Sequence, residues 1–313
     1  MTETAISDDP VFVRLRADEA WTLLQLTTLL YYLHETNPDN LLVRDKTEPN
    51  APVSIAAVGM ALATLPVVVE RGIMIREFAA RDTLKRLRFL LQCPQGPEPD
   101  GSGYKGFFYH FLDIETGRRV WQCELSTIDS AFLFAGVLTV ASYFDRDTAH
   151  EVEIRSLANA LYQRADWNWA RDGGATLTHG WRPESGFIPH RWRGYDEGLL
   201  LYILGLGSPT HPLPRESYRA YCATYQWKSI YGRELLYSAP LFTHQLSHIG
   251  QPPAHRALPV CLCAQRPHSP ADRRANAGLA GGWNALLDGS HLIGGLFQCC
   301  SFVLALPRQR MGR

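Results

Sequence analysis

Apolar side chains recur at helical spacing through most of the first 225 residues. Residues 17–35 repeat them every three or four positions without glycine or proline, which predicts a first helix. The same periodicity predicts six further helices, at residues 54–72, 75–91, 126–144, 150–164, 195–206 and 216–225. Neither the strand–helix alternation of a parallel sheet nor a glycine-rich phosphate loop accompanies this pattern. We therefore expect an all-α fold.

The sequence signals for strands lie in the connections between these helices. Residues 107–120 alternate apolar and polar side chains and then meet the turn sequence Glu115-Thr116-Gly117, so we predict a β-hairpin there. Helices arranged in pairs, with functional loops at one end, would form an α/α barrel or toroid. Periodicity alone does not separate that architecture from a helical bundle.

The charge balance argues against a polyanionic partner. Lys+Arg and Asp+Glu number 31 each, so the formal net charge is zero. Nucleic-acid-binding proteins instead carry a basic excess or a basic stripe. We therefore expect a neutral partner, such as a sugar or a small molecule, and no nucleic acid.

The chain carries no sequence signal for secretion or membrane insertion. Its first residues are acidic where a signal peptide would be basic and then apolar, and no run of 18 uninterrupted apolar residues occurs. As written, the protein is expected in the cytoplasm, or in the periplasm if its true N-terminus is missing. An odd number of cysteines, seven, argues against a disulfide framework.

The character of the chain changes near residue 249. Residues 250–313 hold four of the seven cysteines and show no long amphipathic period. We expect a helical domain at residues 15–249 and a divergent tail at residues 250–313. The tail is either an irregular subdomain or a stretch translated out of frame or taken from unrelated DNA.

Half of the tryptophans are concentrated in one long connection. Four of the eight lie between residues 167 and 192: Trp167, Trp169, Trp181 and Trp192. Histidine, arginine and glutamate side chains are interleaved with them. Indole faces can stack on pyranose rings while polar groups bond the sugar hydroxyls, and long loops are commonly functional. The alternative is that these indoles anchor the loop to the core.

Glu197 follows this connection at the start of an apolar helix. Desolvation by aromatic neighbours would raise its pKa and keep it protonated, as a general acid requires. The helix N-terminus acts in the opposite direction, because it stabilises the anion. Helix capping is the alternative role, and spacing alone favours it.

Asp129 is the second candidate acid, because it is a charged residue in an apolar stretch. The sequence Ser126-Thr127-Ile128-Asp129 also fits a capping box, in which the acid satisfies a backbone amide. Both roles remain open at this point. Glu124 and Asp113 are further acids in the same region.

Metal-binding signals are weak. His244 and His248 are four residues apart and resemble a zinc-protease motif in which Gln245 replaces the catalytic glutamate. The paired spacing of a four-ligand zinc site is missing from the clustered cysteines Cys261, Cys263, Cys299 and Cys300. We predict no metal site.

Three segments carry a family resemblance: GYKGFFYHFLDIETGRRVWQCELSTIDSAFLFAGVLTVASYF (103–144), HGWRPESGFIPHRWRGYDEGLLLYILGLGSPTHPLP (179–214) and YGRELLYSAPLFTHQLSHI (231–249). Each resembles the glucoamylase-like domain of bacterial glycoside hydrolase family 144. With the upstream residues 41–72, the resemblance covers about residues 15–249. It implies a toroid of six helix pairs, cleavage of a β-glucan (β-1,2-glucan above all) by two carboxyl groups, and no cofactor.

The resemblance also implies site residues. Glu197, in GYDEG, and Asp129, in STIDSAFL, are expected to face the cleft as catalytic carboxyl groups. Residues of the matching motifs and of the aromatic connection are expected to contact the oligo- or polysaccharide: Arg44, Asp45, His110, Glu124, Trp167, Trp181, Arg182, Trp192 and Tyr195.

The chain departs from the family after HQLSHI. Relatives continue with a W-[IV]-D-F-R-G-like run and further helices that carry another cleft acid, and residues from Gly250 onward do not. An inverting mechanism needs two carboxyl groups about 6.5–9.5 Å apart with water between them. The alternative to a hydrolase is therefore a sugar-binding protein without catalytic activity, and the toroid is expected to be incomplete.

Overall fold

Helices dominate the regular structure of the protein. The computed structural model describes residues 23–230, 232–238 and 240–246. In chain order the helices are α1 (which includes residues 23–34), α2 (Ile55–Glu70), α3 (Arg76–Gln92), α4 (Thr127–Tyr143), α5 (Ala149–Gln163), α6 (Leu199–Leu206), α7 (Arg215–Cys222) and α8 (Leu241–Leu246), with a short 3-10 helix at Trp169–Arg171. The predicted all-α class is confirmed. Closure of the helices into a toroid stays a prediction.

Short antiparallel strands occupy the connections. They are β1 (Val53–Ser54), β2 (Gly103–Tyr104), β3 (Phe107–Phe108), β4 (Phe111–Leu112), β5 (Leu125–Ser126), β6 (Gly180–Arg182), β7 (Gly186–Phe187), β8 (Trp227–Ile230) and β9 (Arg233–Leu236). β1 pairs with β4, β2 with β3, β6 with both β5 and β7, and β8 with β9. Because β1 runs directly into α2 and β5 directly into α4, these small sheets collect the loops at the N-terminal ends of both helices.

The predicted hairpin forms its turn but pairs with a different strand. The amide of Gly117 donates to the carbonyl of Asp113 at 2.9 Å, and Gly117 has a φ of +67°, which glycine adopts readily. Beyond the turn, Leu112 forms an isolated bridge with Arg119, while its strand β4 pairs in register with β1, where Leu112 lies opposite Val53. Leu112 and Val53 are both fully buried, whereas the residue opposite Leu112 on the returning arm is the charged Arg119. Burial therefore selects β1 as the partner.

The helices form a buried layer and a half-exposed layer. α2 and α4 pack on each other, and most of their side chains are buried on every side, as the apolar composition of both helices requires. α3 and α5 pack on each other and keep polar faces in solvent. Two helix pairs, α2 with α3 and α4 with α5, therefore have the same arrangement.

Two glycines allow the backbones of α2 and α4 to touch. A Cβ added at Gly136 would lie 2.0 Å from the carbonyl oxygen of Gly59, and one added at Gly59 would lie 2.3 Å from the carbonyl oxygen of Phe132. Both atoms that would be met are backbone atoms, so a rotamer change cannot relieve the overlap. Because glycine has no side chain, α4 can lie in direct backbone contact with α2 at this crossing.

We predict that Gly136→Ala destabilises the protein by about 1–3 kcal/mol, the typical cost of overpacking a core. The added methyl group must push α4 away from α2, and this outweighs the gain in helix propensity. Urea denaturation followed by circular dichroism would measure the free energy of unfolding. Ser142→Ala, a half-buried position on the same helix, serves as the control and should change it by less than about 0.5 kcal/mol. Equal effects of the two substitutions would contradict the prediction.

Candidate active site

Four of the predicted site residues form one connected polar group. Nδ1 of His110 is 2.9 Å from Oε1 of Glu124, and Nε2 of His110 is 3.6 Å from Oδ2 of Asp129. Nη2 of Arg182 lies 3.4 Å from the second carboxylate oxygen of Glu124. We call these four residues the acid–histidine group. Each keeps part of its side chain exposed, so a ligand in solution can reach it.

The short strands bring this group together. The amide of His110 donates to the carbonyl of Glu124 at 2.9 Å, and its own carbonyl accepts from the amide of Ile55, at the start of α2, at 3.1 Å. β5 follows Glu124 directly and pairs with β6, which carries Arg182. The group therefore lies where the N-terminal ends of α2 and α4 meet the loops.

Burial and charge set the protonation of the group. Burial by itself would lower the pKa of His110, but the hydrogen bond to Glu124 and the charges of Asp129 and Glu124 outweigh it, so the pKa is raised. The hydrogen bond from His110 lowers the pKa of Glu124 against the opposing effect of burial. Burial raises the pKa of Asp129, although His110 and the hydroxyl of Ser126 act in the opposite direction. The group thus pairs a readily ionised carboxyl with one that is a stronger base.

Asp129 combines a capping role with a site role. Ser126 is the N-cap of α4, and its Oγ accepts a hydrogen bond from the amide of Asp129 at 3.3 Å, as the capping box predicts. The Asp129 carboxylate accepts a hydrogen bond from the Ser126 hydroxyl and faces His110. The cap fixes the start of the helix, and the carboxylate remains part of the acid–histidine group.

Asp196, which the sequence analysis did not single out, forms a turn directly before α6, whose N-cap residue is Gly198. Oδ1 of Asp196 accepts a hydrogen bond from the amide of Gly198 at 2.9 Å, the arrangement of an Asx turn. Its backbone carbonyl accepts a hydrogen bond from the hydroxyl of Tyr221 at 3.2 Å. Burial raises the pKa of Asp196 to about 6. An aspartate two residues before a glycine is the sequence signal for such a turn.

Glu197 lies beside this turn. It is half-buried, and among the described side chains none forms a hydrogen bond or an ion pair with its carboxylate. Its roles as a catalytic acid and as a helix cap both stay predictions.

Trp192 joins the helix starts that carry the two candidate acids. Its Nε1 donates a hydrogen bond to Oγ1 of Thr127, the first residue of α4, at 3.0 Å. A Cβ added at Gly198, directly before α6, would lie 3.3 Å from ring carbon Cε3 of Trp192. The imidazole of His179 stacks on the indole with ring centroids 4.0 Å apart. This stacking makes His179 a further residue at the site that the sequence analysis did not single out.

Two of the predicted sugar-contacting indoles are enclosed by protein. Trp167 has no exposed surface and packs edge-on against Phe107 and Phe134 at centroid distances of 5.2 and 6.1 Å. Trp192 is 7% exposed, and its ring lies between His179 and Gly198. The expectation that Trp167 contacts substrate is wrong, because no sugar can reach it, and stacking of a sugar on Trp192 is corrected for the same reason. Both residues instead fit the alternative role, in which their indoles anchor the long connection to the core.

Trp181 lies on the other face of its strand from Arg182. Successive side chains of a strand point to opposite faces, and Trp181 packs with Tyr104 and Trp169 at centroid distances of 5.1 and 5.9 Å. Arg182 turns to Glu124 instead. Trp181 and Trp169 are half-exposed, so sugar contact by Trp181 stays a prediction, at a place separated from the acid–histidine group by the sheet.

The remaining predicted contacts lie around the group. The charge of Asp45, which is exposed, contributes to the raised pKa of His110. Arg44 is half-buried, and its Nε lies 3.8 Å from a carboxylate oxygen of Glu35. Tyr195 packs edge-on against Tyr225 at 5.8 Å. Substrate contact by Arg44, Asp45 and Tyr195 stays a prediction.

The described residues contain no cluster of three or more side chains suited to a metal ion. The side chain of His244, all of His248 and the four clustered cysteines lie outside those residues. Within the same ranges, every helix is too short or too polar to cross a membrane.

The chain is similar to known proteins that act on glucans. A family model described as "Putative glucoamylase" matches residues 189–255. The chain is 25% identical over 206 residues to the exo β-1,2-glucooligosaccharide sophorohydrolase (non-reducing end) of Parabacteroides distasonis, across 63% of this chain and 27% of that protein.

Solved structures give the same result. The endo-β-1,2-glucanase of Chitinophaga pinensis, in complex with sophorotriose and glucose, is 25% identical with a TM-score of 0.67, across 75% of this chain and 60% of that chain. The β-1,2-glucanase of Parabacteroides distasonis has a TM-score of 0.68 at 22% identity, across 76% of this chain and 38% of that one, and shows likeness of fold. The resemblance to the glucoamylase-like family is confirmed.

The chain spans about a quarter of the length of the curated relative and about 60% of the endo-β-1,2-glucanase structure. The family match extends six residues past the boundary predicted at residue 249. The division into a domain and a tail stays a prediction, since residues 247–313 lie outside the described part.

We predict that Glu124→Gln lowers the pKa of His110. The substitution removes a carboxylate charge and weakens the hydrogen bond to the imidazole, whereas burial, which favours the neutral ring, remains. Titration of isotope-labelled histidine by NMR would follow the midpoint. Glu153→Gln, an acid paired with Arg88 on the surface formed by α3 and α5, is the control and should leave the midpoint unchanged. An unchanged midpoint in Glu124→Gln would contradict the prediction.

The same pair should contribute to stability within a defined pH window. The pKa of His110 is raised, so its contribution is present below the ordinary histidine pKa of about 6.5 and is lost as pH rises through the raised value. The pKa of Glu124 is lowered, so its contribution is present above about 4.3 and is lost as pH falls through the lowered value. The stability difference between wild type and Glu124→Gln is therefore expected to be largest between these two pH values.

Proposed function

We propose that this chain binds a β-1,2-linked glucan and hydrolyses a glycosidic bond with Glu197 and Asp129 as its two carboxyl groups. The observation that carries the proposal is that Trp192 joins the start of α4, which holds Asp129, to the residues directly before α6, which include Glu197. α4 and α6 also pack on each other. Glycoside hydrolysis requires two carboxyl groups that flank one bond, and carboxyl groups on adjoining elements suit that requirement.

The proposed substrate class is supported by the relatives and by the chemistry of the site. One relative is named a sophorohydrolase, and a solved relative is in complex with sophorotriose. Sugar hydroxyls need both donors and acceptors. Arg182 and His110 offer donors, and Glu124 offers an acceptor, within one exposed group. These features support an oligo- or polysaccharide ligand.

In the proposed reaction, Glu197 gives a proton to the departing glycosidic oxygen as the bond to the anomeric carbon breaks. A water molecule attacks that carbon from the opposite side and passes its proton to Asp129. Burial raises the pKa of Asp129 and so strengthens it as a base, while His110 and the Ser126 hydroxyl stabilise the anion that must be present first. These contacts support the assignment of Asp129 as the base.

We expect Glu197→Gln and Asp129→Asn each to lower the rate of β-1,2-glucan hydrolysis by about 10²–10⁴-fold, the usual contribution of general acid–base catalysis. Release of reducing ends from linear β-1,2-glucan measures the rate. Glu216→Gln, an exposed acid in the first turn of α7, is the matched control and should retain full activity. Full activity in Glu197→Gln would reject the role of Glu197.

The two roles can be separated with a substrate that has a good leaving group. On an aryl β-glycoside of a β-1,2-linked gluco-oligosaccharide, the leaving oxygen needs little protonation. Glu197→Gln should therefore recover most of its lost rate on this substrate, and Asp129→Asn should not. The reverse pattern would exchange the two assignments.

The second candidate function is sugar binding without cleavage. It is favoured by the extent of the likeness, because the match covers only 60% of the endo-β-1,2-glucanase structure. The likeness therefore says nothing about catalytic groups in the rest of that relative. Calorimetry with β-1,2-gluco-oligosaccharides separates the candidates: binding without turnover supports this one, turnover supports the hydrolase, and absence of binding rejects both.

A further inference from the structure

Trp121 is an exposed indole in a strained turn. Its side chain is 69% exposed, the largest fraction among the exposed large apolar side chains of the described residues. Its φ is +56°, and that of Gln122 is +51°. Side chains with a Cβ rarely adopt this left-handed region, which costs about 1–2 kcal/mol for each residue. Two such residues in succession, with a tryptophan held outward, are maintained only where the surroundings impose them.

The surroundings impose the turn through hydrogen bonds to its backbone and to the neighbouring hairpin. The amide of Cys123 donates to the carbonyl of Val120 at 3.1 Å, and Nε of Arg119 donates to the carbonyl of Cys123 at 2.7 Å. The Arg119 guanidinium also forms two hydrogen bonds to the carboxylate of Glu184, at 2.6 and 3.0 Å, and its side chain is 2% exposed. Arg119 therefore locks the turn to the tip of the hairpin formed by β6 and β7.

The indole lies beside the acid–histidine group. Its ring centroid is 5.6 Å from that of Phe111, and the Phe111 ring stacks on the imidazole of His110 at 3.8 Å with an interplanar angle of 14°. Glu124, which bonds His110, follows Trp121 by three residues. A row of three aromatic rings thus runs from the most exposed indole to the centre of the candidate site.

We propose that Trp121 is a stacking platform for a glucosyl ring at the rim of the candidate site, forming a subsite next to the one at the acid–histidine group. The flat apolar face of an indole matches the C–H face of a pyranose, and this indole is 69% exposed and contacts the ring of Phe111. Sugar rings bound there would extend the recognised chain outward from the bond that is cleaved. This inference rests on the proposed function, since it names a subsite for the same glucan.

The platform predicts a loss of affinity that depends on ligand length. In a Glu197→Gln background, which slows turnover, Trp121→Ala should weaken binding of long linear β-1,2-gluco-oligosaccharides by about tenfold, the equivalent of about 1.4 kcal/mol. Binding of the disaccharide should change less, because it need not reach the rim. Trp121→Phe should restore most of the affinity. Isothermal calorimetry with oligosaccharides of two to six units measures each case.

The controls distinguish failure of the proposed subsite from failure of the proposed function. Ile75→Ala, at a 64% exposed position directly before α3, should bind every oligosaccharide as its parent does. If the parent with Trp121 intact binds none of the sugars, the proposed function and the subsite both fail. If the parent binds and Trp121→Ala binds equally tightly at every length, the subsite alone is rejected. A length-independent loss accompanied by a lower thermal midpoint assigns Trp121 a structural role and also rejects the subsite.

Discussion

The hydrogen bond from the Trp192 indole to Thr127 is the interaction on which the candidate site depends. The helices that hold Asp129 and follow Glu197 lie far apart in sequence, so tertiary contacts must set their relative position. A buried N–H without a partner costs about 1–3 kcal/mol, and Oγ1 of Thr127 satisfies that of Trp192. The hydroxyl of Tyr202, on α6, donates to the Trp192 carbonyl at 2.7 Å and holds the same residue from the other helix.

The hydrogen bond between Trp192 and Thr127 can position the site only because α4 is itself held in place. The backbone contact between Gly59 and Gly136 sets how deeply α4 lies against α2, and the cap at Ser126 determines where α4 begins. The position of Asp129 is therefore determined by contacts at two places along its helix, in addition to its own contact with His110. A rigid helix with a buried body is a better support for a reacting group than a loop, because its start cannot move without opening the core.

Periodicity predicted the helices because burial imposes it on the sequence. The capping pattern predicted the start of α4 at Ser126. The pairing of β4 with β1 could not be predicted, because a hairpin turn does not determine which strand its first arm joins. Spacing also could not predict that Trp167 is buried, because a tryptophan in a loop has the same sequence pattern whether its indole faces the core or the solvent. At the site, the family resemblance pointed to His110 and Glu124, but the hydrogen bond between Asp196 and Gly198 is visible only in the structure.

The electrostatics of the group also limit which ligands suit it. The carboxylates of Asp129 and Glu124 are balanced by Arg182 and, when it is protonated, by His110, so the group carries no surplus of positive charge for a phosphate. A neutral polyol needs no such charge and can use every donor and acceptor. Cleavage of a glycosidic bond develops positive charge at the anomeric carbon, and preorganised carboxylates stabilise that charge at no further reorganisation cost. Under the proposed function, the carboxylates of this group would therefore stabilise the transition state of glycoside hydrolysis more than its neutral ground state.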